Sequence, residues 1–387
     1  MHSLDVKGQT RAMRMLQMAR AGSRMPHAWI FYGPAGVGKE MLAVRFARLI
    51  LCEKPASVDP PADAGAEGPW HDGCGRCRSC HLIESDTHPD LHQVYRQLNK
   101  HHPDSAVQNR KALDISVDVI RHFLLDPVRG RSAMGRAKVY IVKEAELLST
   151  AAQNALLKTL EEPPEDTYII LLSTARDRLL PTTLSRCQSV GFGHLDLPTT
   201  EKIIAARGIA PTDAPFYAAL SEGRPGGALH LAKMDLRNDY AAIAQALAGI
   251  RAADPMQVAA GWQETAQRWV KAIQDDDSDA DPTTDQNRQA LQVLFVVLST
   301  ILRGALRLGA SAAGEPVLPE TSEALKEVAN WGGEALAGGI RQVAWAESAI
   351  ARNANTILTL EALAVKLAQC SRGVLTGLLE TTYDPAG

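Results

Sequence analysis

One heptapeptide restricts this chain more than any other stretch: Gly33-Pro-Ala-Gly-Val-Gly-Lys39. Three glycines in so short a run let the backbone turn through conformations closed to other residues, so that its amide N–H groups can face one centre. Such a turn needs a strand before it and a helix after it. Ala28-Trp-Ile-Phe-Tyr32 is an apolar run of strand length. Met41 to Leu51 places Leu42, Ala43, Phe46, Ala47 and Ile50 at a helical period. The three pieces together form a phosphate-cradling loop that opens onto a helix N-terminus. Gly33, Gly36 and Gly38 shape the cradle, and Lys39 is placed to neutralise terminal phosphates.

The residue after that lysine is Glu40, where a Ser or Thr hydroxyl normally reaches Mg²⁺. A second departure follows the apolar run Val139-Tyr-Ile-Val142. Lys143 stands where a metal-holding carboxylate is expected, and Glu144 keeps the position of the group that orients an attacking water. Phosphoryl transfer relies on a metal to offset developing charge, so both departures predict no hydrolysis in this pocket. The surviving cradle leaves ATP binding without hydrolysis open. A plainer reading makes Lys143 a salt-bridge partner, with Glu40 a candidate for the other half.

The first 190 or so residues alternate strand and helix patterns. Lys138 to Val142 and Tyr168 to Leu172 are further buried-strand runs. Between them, Thr150 to Leu160 carries Ala152, Ala155, Leu156 and Leu160 on one helical face, and Glu161-Glu-Pro-Pro164 ends it. This alternation predicts an α/β fold with a parallel sheet. Beyond about residue 193 strand signals fade. Residues 194–245 hold three short helical patterns, the last opening after Gly223-Arg-Pro-Gly-Gly227, and residues 250–387 read as all-helical. Val293 to Leu302 reads as a buried helix, too short to span a bilayer. Leu291, Leu294, Val297 and Leu298 form an apolar stripe suited to packing against like helices, or to filling their own core. Pro55 to Pro69 reads as a flexible insertion, and Asp275 to Pro282 as a solvated acidic loop.

Cys74-Gly-Arg-Cys77-Arg-Ser-Cys80 spaces three thiols so that they can converge on one tetrahedral ion. Cys52 is the natural fourth ligand, with His71 and His81 as rivals. The 21 residues between Cys52 and Cys74 form a long loop, but closure cost rises only slowly with length. Structural zinc is the expectation; unpaired thiols or an iron–sulfur cluster are the other readings. Cys187 and Cys370 stand apart and read as buried small hydrophobes. Leu179 to Gln188 predicts a short helix at the sheet rim carrying Arg186, whose fork of donors suits a phosphate on a neighbouring subunit. A lone arginine more commonly serves as a surface ion-pair residue.

The net charge of −3 removes the chain as a whole from the class of electrostatic nucleic-acid binders. No basic–aromatic stripe supports a stand-alone DNA-binding module. The N-terminal stretch has no apolar signal core, so a soluble, cytoplasmic protein without membrane association is expected. The tightly clustered cysteines fit a reducing compartment.

Several strings together resemble the bacterial clamp-loader AAA+ family: Gly8-Gln9, Pro26-His-Ala28, GPAGVGK, the cysteine cluster, NALLKTLEEPP from Asn154, LLPTTLSRCQ from Leu179, and NANTILTLEAL from Asn353. The motor subunits of that family, gamma/tau, carry Ser/Thr after the loop lysine and Asp-Glu on the second strand. This chain departs at both places, and it has Gly226 where the motor's second-sensor arginine aligns. The resemblance implies an AAA+ P-loop sheet domain over 1–193, a helical lid over 194–248 and an all-α collar over 249–387. It implies a non-hydrolysing member of a five-subunit loader of DNA polymerase III, partnered by gamma/tau and delta subunits, that opens the sliding clamp and sets it on primed DNA. Arg186 would then act in trans as an arginine finger, and the chain itself would have neither ATPase nor polymerase activity. The alternative is a gamma/tau-like ATPase motor in which Glu40 replaces the hydroxyl.

Overall fold

The computed structural model describes residues 6–22, 25–61, 70–110, 112–274, 284–310 and 316–374. The chain divides into two compact units. The first holds residues 1–203 together with Gly223–Gly227, and the second holds Ile204–Glu222 and residues 228–387.

The first unit is built on a parallel sheet, as the alternation predicts. Its strands are β1 (Ala28–Tyr32), β4 (Leu91–Val94), β5 (Lys138–Val142), β6 (Thr167–Ser173) and β7 (Gln188–Gly191). A separate hairpin pairs β2 (Ala56–Val58) with β3 (Trp70–Asp72). The sheet order is β4-β5-β6-β1-β7, with Ala28 opposite Ile169 and Lys138 opposite Thr167. Helices cover both faces, so successive side chains of one strand enter different cores. Trp29 and Phe31 pack with Leu42, Phe46, Val139 and Ile141 on one face. Ile30 packs with Tyr140, Val142, Leu156 and Leu171 on the other. Burial on both sides explains why these strands are continuous apolar runs. It also explains why β4 and β7 escaped the sequence reading. They are four-residue edge strands containing His92-Gln93 and Gln188-Ser189, and short polar edges carry little period.

The helix Thr150–Glu161 starts at Ser149, whose hydroxyl accepts the Ala152 N–H at 3.2 Å, and stops where the two prolines follow. The expected insertion at 55–69 is in part ordered structure. Residues 56–58 pair with 70–72, and Trp70 is buried, while residues 62–69 lie outside the described residues. The acidic stretch 275–282 falls outside them as well.

The second unit is helical. Where the sequence predicts three short helices, four stand: Leu197–Ala205 and Pro225–Ala232, which both straddle the unit boundary, and Ala214–Leu220 and Leu236–Gly249. Pro255–Gln274, Thr284–Gly309, Ser322–Ala329, Gly333–Ala351 and Thr356–Ser371 follow. Residues 286–309 are long and apolar enough to cross a bilayer by length and composition. Here Leu294, Val297, Leu298, Ile301 and Leu302 are fully buried among the other helices of the unit, so this is its central core helix.

Candidate functional site

Three constellations lie on the sheet unit. The first is the glycine-rich turn at the C-terminal end of β1. The Gly33 N–H donates to the Ser173 carbonyl at 3.2 Å, tying the turn to β6. Gly36 has φ +79°, and a Cβ there would lie 2.6 Å from the Gly227 nitrogen. Only glycine fits, because Gly223–Gly227 comes down directly on the turn, and the Gly226 N–H donates to the Gly36 carbonyl at 2.8 Å. Gln9 braces the turn from behind, its Nε2 donating to Gly193 O at 2.8 Å and Val37 O at 3.2 Å.

Lys39 opens the helix Lys39–Leu51 and is buried. Its ammonium donates to the Gly33 and Pro34 carbonyls at 2.6 and 2.7 Å, so it is held by its own turn. Burial pushes its pKa down to about 8, against a raising effect of the Glu146 carboxylate. Glu40, the next residue, meets Lys143 at the end of β5, with Nζ and Oε1 2.5 Å apart. The two departures found in the sequence are thus one ion pair, as the plainer reading of Lys143 allowed. The pair joins the helix after the cradle to the end of the second strand. A hydroxyl and a carboxylate holding Mg²⁺ between them need those same two positions, so the residues present do not fit that ion. Glu144 is in a left-handed conformation at φ +50°, and its carboxylate pairs with Arg96 at 3.2 Å. Glu146 accepts from both the backbone N–H and the hydroxyl of Thr174.

The second constellation surrounds Arg186, which follows the one-turn helix Pro181–Leu184. Its guanidinium pairs with Glu161 at 3.0 Å and donates to the Thr182 carbonyl at 3.1 Å. Glu161 is the last residue of the helix Thr150–Glu161, so two of the quoted strings meet here. The side chains are 31% and 59% exposed. A pair this open contributes about 0–1 kcal/mol, and Arg186 can leave it for a phosphate at little cost.

The third is the thiol cluster. Cys52 ends the helix Lys39–Leu51, and Cys77 caps the helix Arg78–Glu84. The sulfurs of Cys52, Cys74, Cys77 and Cys80 all lie within 4.8 Å of one another. Cys52 and Cys77 are 3.9 Å apart, close to the ~3.8 Å that a tetrahedron of ~2.3 Å zinc–sulfur bonds requires. The donor set therefore fits one tetrahedral ion. Backbone N–H groups already point at the sulfurs: Cys74 N–H to Cys52 at 3.2 Å and Cys80 N–H to Cys77 at 3.5 Å. Such a bond from Arg76 is the main cause that holds the Cys74 thiol down to about 6, whereas burial raises those of Cys52 and Cys80. His71 and His81 are not in this group; the His71 backbone is bound instead to the Gln17 amide. The long Cys52–Cys74 spacing closes because the β2–β3 hairpin returns the chain. Asp72 anchors the hairpin, accepting from Arg45 at 2.8 Å and Arg48 at 2.9 Å. Cys370 is fully buried, as expected; Cys187 is only half-buried, although burial still pushes its thiol up to about 12.

Arg96, Glu146, Asp72, Gln153 and Glu161 were not singled out by sequence. Gln153 had a signal: it is a polar residue on the stripe that buries Leu156 and Leu160.

Residues 8–196 match the family model described as DNA polymerase III, delta subunit. A Pseudomonas aeruginosa protein named DNA polymerase III subunit delta' is 35% identical over 239 residues, 60% of this chain and 63% of its own length. The Escherichia coli K12 protein of that name is 32% identical over 226 residues, 57% of this chain and 59% of its own length. A Bacillus subtilis protein named DNA polymerase III subunit tau is 36% identical over 191 residues, 49% of this chain and 29% of its own length. The chain therefore spans about three-fifths of the length of the two delta' relatives.

Proposed function

We propose, from the match of residues 8–196 to the DNA polymerase III delta-subunit family model and the similarity to delta' proteins, that this chain is a clamp-loader AAA+ protein, the delta prime subunit of a DNA polymerase III clamp loader. In this reading it is a stator. It assembles with gamma/tau and delta subunits in a hetero-pentamer in the cytoplasm and does not hydrolyse ATP itself. It lends Arg186 to the nucleotide of the adjacent motor subunit while the assembly places the sliding clamp on primed DNA. Residues 194–248 serve as the lid and 249–387 as the collar. Cys52, Cys74, Cys77 and Cys80 hold a structural zinc that ties the hairpin to the sheet unit and has no role in hydrolysis.

The Glu40–Lys143 ion pair at 2.5 Å is the observation that carries this reading. An ammonium on one metal-ligand position and a carboxylate on the other satisfy each other without a divalent cation. Lys39 is held by its own loop carbonyls, and Gly226 is bonded to the cradle. A nucleotide entering here would lack the metal that cleavage needs. Arg186, by contrast, is half-buried behind a weak ion pair to an exposed carboxylate, and a stronger anion can draw it away.

Similarity to a tau subunit over 191 residues favours a second reading, a gamma/tau-like motor with unusual metal ligation. One assay separates the two. Purified alone, the chain is expected to show no ATP turnover above a Lys39→Ala control. In the complete loader, Arg186→Ala is expected to assemble normally and depress DNA-stimulated hydrolysis. Turnover by the isolated chain that vanishes with Lys39→Ala would establish the motor instead.

A further inference from the structure

The segment that carries Arg186 has little structure of its own. Pro181–Leu184 is a single helical turn, too short to persist unaided. A side chain on such an element is aimed by whatever grips it. Arg186's own contacts, to Glu161 and to a carbonyl of its own turn, are exposed. The firm grip is elsewhere.

Gln153 is 3% exposed in the first turns of the helix Thr150–Glu161. Its Oε1 accepts the N–H of Leu180, the residue that opens the Arg186 turn, at 2.7 Å. The same oxygen has a longer contact with the Thr183 hydroxyl at 3.5 Å. Its Nε2 donates to the Leu148 carbonyl at 3.2 Å and to the Arg178 carbonyl at 3.4 Å. One buried amide thus ties together the turn that follows β5, the turn that follows β6, and the start of the Arg186 segment. An apolar side chain could serve none of those groups. The same helix reaches the segment again ~12 Å further along, at 1.5 Å per residue, where Glu161 meets the guanidinium. The two ends differ in kind: the carboxylate end is exposed and exchangeable, and the amide end is buried and polar-satisfied.

We infer that Gln153 is the positioning residue for Arg186: it sets where the guanidinium is presented, and Glu161 only holds it until a phosphate competes. This rests on the reading of Arg186 as a donor to a neighbouring subunit's nucleotide. Glu146 reinforces the arrangement, binding Thr174 just before the Arg178 turn. Gln153 itself touches no nucleotide and is not a catalytic residue.

The test uses the complete loader, assembled with its motor and delta subunits, and four versions of this chain: the parent, Arg186→Ala, Gln153→Leu, and the double variant. Gln153→Met, unbranched and closer in shape, is the second variant if the leucine disturbs folding; co-elution and circular dichroism check each preparation. Gln153→Leu is expected to lower kcat of DNA-stimulated hydrolysis about ten-fold with KM for ATP changed less than about two-fold. It is expected to add nothing in the Arg186→Ala background, because the two residues act as one unit. General structural damage would lower turnover again in that background, and this outcome overturns the inference. Full turnover in a folded Gln153 variant, beside a depressed Arg186→Ala, overturns it while leaving the Arg186 reading intact. Full turnover in Arg186→Ala removes both.

Discussion

Replacing Glu40 by Thr and Lys143 by Asp should turn a pocket neutralised by its own side chains into one that takes a divalent cation. The two groups are 2.5 Å apart, with Glu40 53% and Lys143 28% exposed. Unit charges ~4 Å apart attract by about 4 kcal/mol at an effective dielectric of 20 and about 1 kcal/mol in water. The openness of Glu40 puts this pair near the lower figure, and ordering two side chains reduces it to a net of ~0–1 kcal/mol. Losing the pair therefore should not unfold the chain, and the double variant should keep its melting temperature within a few degrees. What changes is ligand chemistry: a hydroxyl and a carboxylate take the places of a carboxylate and an ammonium. The assay is titration of a fluorescent ATP analogue with and without added Mg²⁺. Chelator is omitted so that the thiol cluster is left alone. The double variant is expected to bind at least about ten-fold tighter with Mg²⁺, equivalent to ~1.4 kcal/mol. The parent and Lys143→Met, which restores no ligand, are expected to show almost no Mg²⁺ effect. An equal Mg²⁺ dependence in parent and double variant would refute the reasoning, since the ion pair would then not be what keeps the cation out.

Three further outcomes follow from the same geometry. Elemental analysis of the purified chain should find about one zinc. Cys52→Ser and Cys77→Ser should each lose it, while His71→Ala and His81→Ala retain it. Asp72→Asn should destabilise the chain by about 2 kcal/mol, because two arginines lose a charged acceptor; urea denaturation measures it, and a change below about 0.5 kcal/mol would show the hairpin is held otherwise. Lys39 has a folded-state pKa near 8, below its unfolded value, so the penalty on its charged form is complete below pH 8 and is relieved as pH rises toward the unfolded value. The parent should then gain stability relative to Lys39→Met between pH 8 and 10, by at most about 1.4 kcal/mol per pH unit. A flat or falling difference in paired urea melts would contradict this.

Chemistry held within a few consecutive residues was settled by the sequence alone. The glycine-rich turn with β1 before it and a helix after it follows from local conformational limits and burial. So do β5, the helix ended by Pro163 and Pro164, and the close spacing of Cys74, Cys77 and Cys80. The absence of a hydroxyl at 40 and of a carboxylate at 143 was likewise plain, because each is a matter of residue identity. Which group meets which was decided only by the folded chain. Sheet order brings Lys143 to Glu40, the hairpin anchored by Asp72 brings Cys74 back to Cys52, and the turn at Gly223–Gly227 comes to rest on Gly36. Gln153 is paired with Leu180, and Arg186 with Glu161, by the way one helix lies along the segment beyond β6. These partners are far apart in the chain. A contact of that kind leaves no periodicity or spacing to read, since it depends on where strands and helices pack and not on what either residue is.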